Sequence, residues 1–135
     1  MGCDIHAHAE VKINDTWHHY AMPEFHRDYD LFERMAGVRG SESEAIAPPR
    51  GIPDDATELT KYDAAHWGSD GHSHSWLNAQ EIADLSDWDD KRGNKGLDRT
   101  WERYLFGNYY SGFTKYPQER PDGLEDVRFI FWFDN

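Results

Sequence analysis

From Cys3 to Ile13 the chain alternates without a break: Cys3, Ile5, Ala7, Ala9, Val11 and Ile13 are apolar, while Asp4, His6, His8, Glu10 and Lys12 are polar. A period of two sends alternate side chains to opposite sides of a sheet, so one face of this strand enters a core. The other face lines up a carboxylate, two imidazoles and a second carboxylate, with neighbours about 6–7 Å apart. Such a row is either a solvated surface or a site.

The rest of the sequence supplies partners for this strand. Asn14-Asp15 reads as a tight turn into a short returning strand, Thr16-Trp17-His18-His19-Tyr20, and so as a β-hairpin. Pro23 breaks that pattern. From Asp28 or Tyr29 the apolar residues Leu31, Phe32, Met35 and Ala36 form a helical stripe that stops at Gly37. Val38 to Pro53 reads as a long loop shaped by Pro48-Pro49-Arg50-Gly51, with Arg50 held at a defined place. A short helix is expected over Asp55 to Ala65, capped by Thr57 or Asp55 and closed by the turn Gly68-Ser69-Asp70-Gly71. His72-Ser73-His74-Ser75 then falls in a turn before a helix that runs to Trp88. Asn78 is its N-cap and Glu81 the capping-box partner, with Ser75 as the alternative cap. Asp98 can cap a further short helix carrying Trp101, Tyr104 and Leu105, and Pro117 to Gly123 reads as a loop. Val127 to Phe133 is apolar on both faces, the mark of a central strand, and is placed beside the N-terminal strand.

These elements predict an α+β fold: a small, mostly antiparallel sheet with the N-terminal hairpin next to the C-terminal strand, and two or three helices covering one face. The 135 residues make a single domain, 1–135, and an aromatic share of 15% supplies bulky core material.

Charge narrows the partners. With 26 acidic against 14 basic side chains the formal net charge is −12, which disfavours nonspecific binding to nucleic acid or to an anionic membrane. No Lys/Arg run of the nucleic-acid type is present, and no window approaches a membrane span. The opening shows no basic stretch followed by an apolar one, so no leader is expected. The lone cysteine, Cys3, sits on the apolar face and reads as a small buried thiol.

Two constellations can carry chemistry. Alternate histidines on a strand point the same way and can grip one ion, so Asp4, His6, His72 and His74 form a candidate set for a divalent metal such as Zn²⁺ or Mn²⁺. The competing account is a solvated or merely hydrogen-bonded sheet face. Separately, Arg27 and Arg50 suit a phosphate or carboxylate, and Trp76 can stack on a base or sugar. No Gly-x-Ser-x-Gly elbow and no phosphate-binding glycine loop is present. His18 and His19 read as hairpin surface residues.

Several motifs, in order, resemble a family of small uncharacterised tailed-phage and prophage proteins. They are Gly2-Cys3-Asp4-Ile5-His6, Arg27-Asp28-Tyr29-Asp30-Leu31-Phe32, Ala36 to Gly40, Pro49 to Pro53, Asp70 to Leu77, and Val127 to Asn135. The resemblance implies a viral accessory protein acting in the cytoplasm of the bacterial host. It carries no catalytic residues with it. In that setting counter-defence roles come forward, by sequestering or degrading a nucleotide signal or by blocking a host enzyme.

The expectation is therefore one pocket collecting Asp4, His6, Arg27, Arg50, His72, His74 and Trp76, and binding a small anionic, nucleotide-like molecule. The alternatives are a metal-dependent hydrolase of a phosphate-containing molecule and an acidic protein that mimics DNA or blocks a host protein. Asp4 and His6 are the favoured residues of the first strand, with His8 and Glu10 running toward water.

Overall fold

A computed structural model describes residues 2–93 and 123–135. Four antiparallel strands, β1 (Asp4–Ile13), β2 (Thr16–Ala21), β3 (Gly71–Asn78) and β4 (Leu124–Asp134), form one sheet in the order β2-β1-β4-β3. The hairpin and the C-terminal strand are neighbours, as the patterns require. Asn14 and Asp15 both take positive φ, 51° and 62°, the two-residue turn whose twist matches a right-handed hairpin. The apolar run of β4 is central because it is covered on both faces.

Three helices pack on the sheet: α1 (Tyr29–Ala36), α2 (Glu58–Trp67) and α3 (Ala79–Lys91). Their ends are set locally. The Asp28 carboxylate accepts the Leu31 amide and Gly37 closes α1 at φ 77°, while Asn78 and Glu81 make a complete capping box on α3. Thr57 occupies the N-cap position of α2. The predicted helix around Asp98 and the loop from Pro117 lie outside the described residues.

On one face, α1 and α3 bury Leu31, Phe32, Met35, Ile82 and Leu85 against Cys3, Ala7, Ala9, Val11, Phe129, Phe131 and Phe133. At roughly 1.5–3 kcal/mol for each large side chain removed from water, this layer is the main source of stability. The expectation that the helices cover one face needs correction. α2 lies over the other face, contacting His6 through Trp67, His8 through Asp63 and Glu10 through Thr57 and Thr60. The reason is that a strand row of Asp, His and Glu can be covered by a helix that brings its own polar partners.

Two further local expectations change. His72 to Ser75 belong to β3 rather than to a turn. Ser75 is buried in that strand, where its hydroxyl accepts the Arg50 amide, and it caps no helix.

Candidate functional site

The covered polar face is built on β1, and its burial reverses the order expected along the row. His8 and Glu10 are fully buried, whereas Asp4 is exposed and His6 half-buried. Glu10 is held by Arg128 of β4 and by the Thr57 amide and the Thr57 and Thr60 hydroxyls of α2. Burial raises its pKa, but these hydrogen bonds outweigh burial and the carboxyl lies below its usual range. Arg128 also reaches Asp55 at 2.8 Å and stacks over Trp17, so Glu10 is fully used in holding α2 and β4 to β1.

His8 sits between two polar neighbours: Nε2 is 2.7 Å from the Asp63 carboxylate and Nδ1 is 2.8 Å from His19 Nε2. Its ring stacks on Trp132 at 5.4 Å. His19 comes from β2, where a register shift at Ala9/Glu10 sets it opposite Glu10. Burial, with the neighbouring His8, holds the His19 pKa below the ordinary imidazole value.

His6 is the next residue on this face. It stacks on Trp67 at 3.9 Å and faces Trp132, its partner in register on β4. Its Nε2 lies 3.3 Å from an Asp134 oxygen without hydrogen-bond geometry, and is left buried with no hydrogen-bond partner among the described residues. The Trp132 indole N–H is orphaned in the same way. Gly71 makes this crowding tolerable, because a Cβ there would lie 3.2 Å from the Trp132 ring and 3.4 Å from His74 Nε2.

A cleft of about 450 Å³ opens beside His6, lined also by Ile5, Ala7, Met22, Phe25 and His26. It forms because β1 outruns β2. Their pairing ends at Ala9 and Ala21, after which the chain turns away from β1. On that side Asp4 to His8 have no strand partner among the described residues.

The other candidates are dispersed. Arg27 and Asp4 pair with each other on the surface through two hydrogen bonds, which raise the Arg27 pKa and lower that of Asp4. Arg50 pairs with Glu81, donates to the Trp76 carbonyl and stacks over the Trp76 ring at 4.5 Å, so it braces the start of α3. His72 and His74 lie on opposite faces. A bulge between His72 and Ser75, with Ser73 at φ 56°, adds one residue to β3, so His72 pairs with Phe133 on the α1/α3 face while His74 stacks on Trp132 beneath α2. Asp4, His6, His72 and His74 therefore do not converge, and no group of three or more His, Cys, Asp or Glu placed to hold a metal ion exists among the described residues.

What the structure gathers is His6, His8 and His74 around Trp132, with His19, Asp63 and Trp67 at the margin. Asp63, Trp67 and His19 carry no motif that marks them in the sequence. No family model matches the chain, and neither does any curated protein or solved structure. No helix among the described residues is long and apolar enough to cross a membrane.

Proposed function

We propose that this protein binds a small anionic, nucleotide-like molecule in the cleft beside β1. The observation that supports this reading is the free edge of β1: a strand edge offers alternating N–H and C=O groups that match the hydrogen-bonding edge of a planar heterocycle. Met22, Pro23 and Phe25 provide apolar walls, and His6, Glu24 and His26 are the polar side chains of the lining, so the acidic group of the ligand must face Arg27 and away from Glu24. Arg27 follows directly after His26, and its pairing with Asp4 is solvent-exposed, so an acidic group of the ligand can compete for it. Arg50 and His72, engaged elsewhere, have no part in this site. In the host-cytoplasm setting that the phage-type resemblance implies, such binding would serve to sequester a nucleotide signal.

The test is calorimetric titration with mononucleotides, dinucleotides and cyclic nucleotides, with and without divalent cations. Binding by at least one of them, weakened at least tenfold in both His6→Ala and Phe25→Ala, is the expected result. Absence of heat across the whole panel rejects the reading.

A further inference from the structure

The second polar device on this face differs in kind from the cleft. Asp63, His8 and His19 form one continuous hydrogen-bonded chain, with links of 2.7 and 2.8 Å, across α2, β1 and β2. The middle ring is fully buried and clamped by stacking on Trp132, while the two ends are half-buried. An ionised carboxylate can only accept, so His8 donates Nε2–H to Asp63 and keeps a lone pair on Nδ1. His19 must then donate Nε2–H to that lone pair. Its own Nδ1 is left as an acceptor, and it makes no hydrogen bond to any described residue. The tautomers of both rings thus follow from one charge.

We propose that this chain is a hydrogen-bond relay that makes His19 Nδ1 a general base for hydrolysis of activated carboxylic esters. As a water oxygen bonds to the acyl carbon, one of its protons passes to His19 Nδ1 and the carbonyl electron pair moves onto oxygen. Collapse breaks the bond to the leaving oxygen, which departs with its electron pair. It takes a proton back from His19, giving one acid and one alcohol per ester and water. While His19 is cationic, its Nε2–H stays on the His8 lone pair and the His8 Nε2–H on the ionised Asp63 carboxylate, so the polarised hydrogen bonds stabilise the cation without moving a proton to Asp63. The neighbours that face the relay are Glu10, whose charge is taken up by Arg128, and Trp132, which is uncharged. A lowered His19 pKa keeps the base neutral and available at pH 7.

The proposal is tested with p-nitrophenyl acetate at pH 7 and, separately, by mapping which histidines react first with diethylpyrocarbonate. Hydrolysis should exceed that of equimolar imidazole at least tenfold. It should fall to the imidazole level in His19→Ala, fall about tenfold in Asp63→Asn, and stay unchanged in the exposed His18→Ala. In the unaltered protein His19 should be modified faster than His18, a readout that does not depend on any variant folding. Turnover no greater than free imidazole, turnover retained in His19→Ala, or faster modification of His18 overturns it.

Discussion

Arg128 donates hydrogen bonds of 3.0 and 2.8 Å to one oxygen of Glu10, a residue 118 positions away whose side chain is 0% exposed. The opposite oxygen of Glu10 takes the Thr57 and Thr60 hydroxyls, each at 2.6 Å. This joins β1, β4 and the start of α2 in one buried polar knot. Removing Glu10 leaves the buried Arg128 guanidinium with Asp55 alone as its carboxylate partner and strips the Thr57 and Thr60 hydroxyls of their acceptor, so Glu10→Ala is expected to cost about 3–5 kcal/mol in urea denaturation. Replacing Glu10 and Arg128 together by Leu and Met should recover most of that loss. A double-variant loss equal to the sum of the Glu10→Leu and Arg128→Met losses would show that the pair is not coupled.

Stability should fall in two separate pH ranges. His19 and His74 have folded-state pKa values below the ordinary 6.5, so the unfolded chain binds more protons there and stability declines as pH drops below about 6.5. Glu10, Asp28 and Glu81 are also lowered, in their case by hydrogen bonds that outweigh burial. Their contribution is complete above the unfolded carboxylate values and is lost as pH falls through the folded ones. A urea midpoint profile should show an upper step that disappears in a His19→Gln, His74→Gln double variant while the acid step remains.

The bulge at Ser73 should respond chiefly to backbone chemistry, since Ser73→Val and Ser73→Gly lose the same 2.9 Å hydroxyl contact with His72 Nδ1 and differ in backbone preference. A non-glycine residue at φ 56° carries a left-handed penalty that a β-branched residue feels most. Both variants lose the His72 contact, and Ser73→Val is expected to be less stable than Ser73→Gly by about 1–2 kcal/mol. Thermal melts check this: equal stability of the two variants would mean that the left-handed backbone at Ser73 carries no penalty.

Gly71 packs against Trp132 and His74 at ordinary backbone angles, so a substitution there acts through volume. Gly71→Ala is expected to destabilise by about 1–3 kcal/mol and to move the indole N–H resonance of Trp132. An unmoved Trp132 signal would mean the two do not touch in solution.

The local signals could be read because the interactions behind them are local. Strand alternation from Cys3 to Ile13, the Asn14-Asp15 turn, the Asp28 and Gly37 ends of α1 and the Asn78/Glu81 box all rest on contacts within a few residues. The central place of β4 was legible too, since only a strand covered on both faces tolerates so continuous an apolar run. Of the site, the sequence marked His6 and His74 but not their relation.

Only tertiary structure decided which polar residues act together. The chain by itself determined a two-faced first strand; whether His8 and Glu10 met water or protein depended on where α2 docked, through Asp63 and Thr60, 55 and 50 residues away in the chain. One extra residue in β3 likewise separated His72 from His74, because a single-residue slip turns a side chain to the opposite face. Burial of a polar row requires partners in three dimensions, and a one-dimensional pattern contains the row without those partners.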